Sequence, residues 1–146
     1  VFLTAHVDYV PVSFLHNLKH NHVLHERTFF LKVSIWDVPY VKDAERITLR
    51  DLGHGVYVVR AVYGFNETPD MAQIISLIEK NSGQKFDEMN TSFFLSRDTV
   101  VPTDIPGMAL WREILFAWMY QNAGRQSDFF KIPANRLVEL GAKVEI

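Results

Sequence analysis

Thr28-Phe29-Phe30-Leu31-Lys32-Val33-Ser34-Ile35-Trp36 is the stretch on which the fold turns. Only Lys32 and Ser34 interrupt its apolar character. A strand with one wet face alternates strictly, whereas a nearly continuous run of large apolar residues marks a central strand covered on both faces. Such a strand needs helices above and below its sheet, and the flanking sequence supplies them. Upstream, Val1-Phe2-Leu3 reads as the end of a strand. Pro11 to Asn21 reads as a helix, with Pro11 in the first turn and an apolar face of Phe14, Leu15 and Leu18. Downstream, Ile47 and Leu49 alternate with Thr48 and Arg50, Gly53-His54-Gly55 turns the chain, and Val56 to Tyr63 returns, which predicts a β-hairpin.

The same rules carry through the second half. Thr68 is the expected N-cap, with Pro69 at the first helical position, of a helix reaching Asn81. Met71, Ile74, Ile75 and Ile78 form its buried stripe, and Gly83 closes it. Ser92 to Arg97 is a strand. Met108 to Asn122, ended by Gly124, is a helix that is apolar nearly all round. Such a helix is expected to bury Trp111, Ile114, Leu115 and Trp118 in the core and to use any exposed remainder for a self-contact. Arg136 to Val144 is the last strand. This order of elements predicts one α/β or α+β layered domain over residues 1–146, with a mixed β-sheet and about three helices.

The totals narrow the function. In 146 residues, 48% are hydrophobic and 15 basic residues stand against 17 acidic ones, a balance that fits a packed core and lacks the basic stripe of a nucleic-acid binder. With no cysteine, thiol chemistry and disulfides are excluded, which fits a reducing compartment. The longest apolar run, Ile114 to Tyr120, falls far short of the roughly 20 residues of a bilayer span. Opening on Val1-Phe2-Leu3 without methionine or a basic leader, the chain reads as a piece excised from a longer protein.

Four of the six histidines, His16, His20, His22 and His25, lie within ten residues. His16 and His20 share a helical face at a spacing that suits two metal ligands. Lys19 between them repels a cation, however, and no H-E-x-x-H pattern is present. The main reading is therefore a structural polar cluster with Asn17 and Asn21; a pH-sensing contact is the second and a metal site the least favoured. Arg97, Arg112 and Arg136 are candidate contacts to a phosphate or carboxylate, if they do not pair with Asp98, Glu113 or Glu139. No serine sits in a nucleophile elbow, and Gly53-His54-Gly55 and Tyr63-Gly64-Phe65 hold too few glycines to cradle a phosphate. No catalytic residue, cofactor or metal is expected. Trp111 and Trp118 are the interface candidates.

A further signal is resemblance. Val1 to Thr4, Val10-Pro11, Leu15 to Arg27, Tyr63-Gly64-Phe65 with Glu67 and Pro69, Ser92 with Phe94-Leu95, Pro106-Gly107-Met108, Trp111-Arg112-Glu113, Leu115 to Ala117, Asn122-Ala123 and Ile132 to Arg136 with Val138 to Gly141 together resemble the C-terminal cytosolic region of bacterial Kup-type potassium uptake proteins. The chain departs from the pattern at His22, where lysine is common, at Asn66 (methionine), at Ala72 (proline) and at Gln121 (arginine). The resemblance implies a regulatory or assembly domain on the cytoplasmic face of the inner membrane. It would be attached to its own transmembrane part, which brings in K+ with H+, and could self-associate as a homodimer. The transport residues would lie outside this chain. Two alternatives stay open: a nucleotide- or small-ligand-sensing domain that uses the three arginines, and, more weakly, a zinc-dependent hydrolase built on the histidines.

Overall fold

The computed structural model describes residues 1–101, 110–121 and 129–145. In chain order the elements are β1 (Phe2–Leu3), α1 (Val12–Asn21), β2 (Thr28–Trp36), α2 (Asp43–Arg46), β3 (Ile47–Gly53), β4 (Val56–Gly64), α3 (Met71–Ser82), β5 (Phe93–Val101), α4 (Leu110–Gln121) and β6 (Leu137–Glu145). Single 3-10 turns occupy Glu88–Asn90 and Ala134–Arg136. All six strands form one sheet in the order β3-β4-β2-β1-β5-β6. Every neighbouring pair is parallel except the β3–β4 hairpin at one edge. The mixed α/β layering expected from the sequence is the observed one.

Alternation along the strands sorts the core into two layers. Leu3, Phe29, Leu31, Val59, Ala61, Phe93 and Leu95 point to one face and meet Met71, Ile74, Leu77 and Ile78 of α3. Phe2, Phe30, Val58 and Phe94 point to the other and meet Phe14 of α1. The connections explain why. The chain moves from β1 to β2 in one direction along the sheet and from β4 to β5 in the opposite one. Crossovers of the same hand that run in opposite directions place their helices on opposite faces. Thr28 to Trp36 is indeed internal, flanked by β1 and β4, with Phe29, Phe30 and Leu31 buried.

Two local expectations are corrected. The N-cap of α3 is Asp70, whose carboxylate accepts from the Ala72 N–H at 2.9 Å and the Gln73 N–H at 3.4 Å; Thr68 lies outside the helix. Of the expected stripe, Ile75 is only partly buried, and Leu77 joins Met71, Ile74 and Ile78. Asp70→Ala should therefore cost about 0.5–2 kcal/mol in urea unfolding, with Thr68→Ala near neutral. Equal losses from the two would return the cap to Thr68. Gly83 ends the helix in the left-handed region as expected, at φ 69°.

The larger correction concerns α4. Trp111 and Trp118 are 67% and 62% exposed, and Ile114 and Leu115 are about half exposed, so none of the four is core. The face turned to the protein is Glu113 and Ala117, one helical turn apart and both buried. The small Ala117 lets the helix lie close on β5, and that contact leaves the bulky residues pointing outward. Of the helix expected at Met108 to Asn122, Met108 and Asn122 lie outside the described residues, as does Gly124.

Candidate functional site

The histidine-rich segment straddles the end of α1. His16 and His20 stack at 5.8 Å with nearly parallel rings, as an i, i+4 pair permits. The buried Asn17 donates from Nδ2 to the Val23 carbonyl at 3.2 Å, and Asn21 donates to Asn17 Oδ1 at 2.8 Å. His22 adopts the left-handed C-cap conformation, φ 53°, with its N–H on the Leu18 carbonyl. His25 leaves the helix and presents its ring edgewise to Phe2 and Phe94, at 6.3 and 5.6 Å. Partial burial there lowers its pKa, because the apolar surroundings disfavour the imidazolium. Among the described residues, no three potential ligands converge on a metal position.

Each of the three arginines has its own partner. Arg97 pairs with Glu139 across β5 and β6 at 3.7 Å. Arg136 donates to the Met89 carbonyl and lies 2.9 Å from Met89 Sδ. The Arg112 guanidinium sits over the Trp111 ring, 5.9 Å from its centroid.

Sequence reasoning missed the strongest polar constellation. Arg46, only 4% exposed, donates from Nη2 to Glu67 Oε1 at 2.7 Å and to the Val41 carbonyl at 2.6 Å, and from Nε to Asp43 at 3.0 Å. Its guanidinium caps the Tyr63 ring at 4.4 Å. Glu67 Oε2 also accepts from the backbone N–H groups of Val41 and Gly64, at 3.0 and 2.7 Å. These hydrogen bonds, Arg46's first, hold the Glu67 carboxyl down at about 2. The knot ties the β2–α2 loop to the end of β4. It also explains Tyr63-Gly64-Phe65 with Glu67: a Cβ on Gly64 would stand 2.3 Å from the Pro39 carbonyl oxygen, so the two backbones touch only with glycine there. The signal for this pair lay in the resemblance, which marks Glu67, and not in any local spacing.

The other conspicuous surface is α4, where Trp111, Ile114, Leu115, Phe116, Met119 and Tyr120 are all exposed. Isolated apolar residues on a surface are ordinary; so many along one helix are not. No helix among the described residues is long and apolar enough to cross a membrane.

Fold and surface together define a doubly wound α/β domain that presents an apolar helix and a histidine-rich helix end. Comparison with known proteins gives the family. The model of the K+ potassium transporter C-terminal domain matches residues 1–146, and the chain belongs to that family. It is 87% identical over its full length to a protein of Polynucleobacter asymbioticus named probable potassium transport system protein Kup. It is 58% identical to proteins of the same name from Burkholderia mallei and Burkholderia pseudomallei. In each case the match covers all of this chain and 23% of the relative. No solved structure matches.

Proposed function

We propose that this domain sits on the cytoplasmic face of the inner membrane as the regulatory and assembly module of a Kup-like K+/H+ symporter, and that it performs neither transport nor catalysis itself. The observation that carries this reading is end-to-end similarity to proteins named for potassium transport, of which the chain spans about a quarter. A module of this kind acts through coupling: a contact that favours one transporter state over another changes uptake. The exposed apolar side of α4 is the contact surface, and a second copy of the domain is its partner. In this reading His16, His20, His22 and His25 are part of the structural cluster at the end of α1. Arg97, Arg112 and Arg136 are less favoured as anion contacts, since each already engages a protein group.

Potassium uptake in cells lacking other uptake systems, comparing full-length protein with a version ending before Val1, tests the proposal. Equal membrane abundance with reduced or pH-shifted uptake is the expected result. Equal abundance with unchanged uptake at every pH and potassium level would remove the regulatory role. For α4, Trp111→Ala with Ile114→Ser should change folding stability by less than about 1 kcal/mol in total, since surface substitutions stay near ±0.5 kcal/mol each. Light scattering should meanwhile show a lower assembly mass. A folding loss several times larger would mean that these residues are core after all.

A further inference from the structure

β1 is the shortest strand and stands at the centre. In register with Leu3, β2 runs on from Leu31 to Trp36, and β5 runs on from Phe94, the partner of Phe2, to Val101. Beyond Leu3 the two neighbours therefore continue with no strand between them among the described residues. The chain leaves β1 towards β2 and leaves β5 towards β6, so this gap is also where the winding direction of the sheet reverses. In open α/β sheets that position, outside the carboxyl ends of the strands, is the natural place for a ligand.

The structure has a cavity there of about 730 Å³, with Leu31, Val33 and Leu95 from the strands and Phe129 and Phe130 along its apolar lining. The N-terminal turn of α1 also lines it, through Pro11, Val12 and Ser13. Pro11 supplies no side-chain cap to the helix, and the first turn holds no acidic residue. The Phe14 and Leu15 N–H groups are taken by the Pro11 carbonyl. The positive end of the helix thus has no acidic side chain in its own first turn. A second observation is independent of the helix end. Ser13 is only 1% exposed, and its Oγ has no hydrogen-bond partner among the described residues. A buried hydroxyl is nearly always paired, and one left unpaired beside a cavity is a donor awaiting an acceptor.

We propose that this cavity is a binding site for a small ligand with one anionic oxygen head and a ring-sized apolar body. The head, a phosphate or a carboxylate, lies at the first turn of α1 and accepts from the Ser13 hydroxyl. The body packs against Val33 and the Phe129 and Phe130 side. The proposal concerns binding alone and is independent of any effect on uptake.

The test is hydrogen–deuterium exchange of the full-length detergent-solubilised transporter with four probes: adenosine 5′-monophosphate, indole-3-acetate, uncharged adenosine and inorganic phosphate. At least one of the two ring-bearing anions is expected to slow exchange twofold or more in peptides spanning residues 4–18, leaving residues 71–82 unchanged. Which of the two does so separates a phosphate head from a carboxylate head. Adenosine and phosphate alone should protect less. Ser13→Ala should weaken the protecting probe at least fivefold, and so should Ala5→Glu, which puts a negative charge at an exposed position of the cavity wall without touching the core. Absence of protection by both ring-bearing anions, equal protection by adenosine, or full protection in both variants would overturn the site.

Discussion

Glu67→Ala should lower the unfolding free energy of the domain by about 3–5 kcal/mol, a large share of the 5–15 kcal/mol that holds a typical domain together. The loss comes from what stays behind. Arg46 keeps its burial but loses a 2.7 Å charge-assisted bond, and the Val41 and Gly64 N–H groups lose their common acceptor. The buried guanidinium cannot shed its proton, and the Asp43 carboxylate that remains beside it is mostly exposed, so the desolvation cost is left largely uncompensated. Arg46→Leu combined with Glu67→Gln should be milder than Glu67→Ala, because no charge is stranded and the amide oxygen still serves the two backbone donors. Acid adds a second signature. The Glu67 carboxyl titrates at about 2 when folded, against an ordinary 4.5. Its stabilisation is therefore complete above pH 4.5 and disappears as the pH falls from 4.5 towards 2, where the folded state too must take up the proton. Urea unfolding of the parent between pH 5 and 2.5 should show this slope, and Glu67→Gln should lack it. A Glu67→Ala loss below about 1 kcal/mol, or an unchanged acid slope in Glu67→Gln, would mean the pair contributes little.

Phe2→Ala should cost a similar amount, about 3–5 kcal/mol. Phe2 is 1% exposed and lies at the middle of the α1 side of the sheet. Its ring stacks on Phe94 at 4.4 Å and meets Phe14 edge-on at 5.2 Å and Phe30 at 6.2 Å. Aromatic pairs of these geometries add roughly 0.5–1.5 kcal/mol beyond the area they bury. β1 offers only Phe2 and Leu3 to hold it between two long neighbours, so there is little else to keep the strand in place. Trp118→Ala, which removes a larger side chain from a residue that is 62% exposed, should cost far less. If the tryptophan proved the costlier of the two in urea unfolding of the isolated domain, the assignment of core and surface would be reversed.

The contrast between those residues shows what was legible in the sequence. Period-two alternation and the continuous run at Thr28 to Trp36 reported burial on one face or two, and the order of strands and helices followed. Strand order did not, because pairing between distant segments leaves no local mark. α4 was misread for a definite reason: an apolar helix belongs either in a core or on a surface that another molecule covers, and periodicity reads alike for both. Thr68 and Asp70 are both good capping residues, and only the path of the chain after Pro69 decides between them. Arg46 and Glu67 lie 21 positions apart and meet only once β4 has brought the chain back past α2. The unpaired Ser13 hydroxyl had no signature at all, since a serine in a first helical turn looks ordinary until its surroundings are known.

The pairing of Phe2 with Phe94 has a consequence in time. The β3–β4 hairpin closes through a short turn, and β2 can dock on β4 once that hairpin exists. β1, by contrast, completes its place only after β5 has been made, most of a chain later. Closing so long a loop carries a large entropic cost, and contacts of that span slow folding. During synthesis β1 can pair with β2 early, but its other edge stays open until β5 is made. A short β1 is a sparing answer to that hazard: while it waits for β5 it offers only the two-residue edge of Phe2 and Leu3.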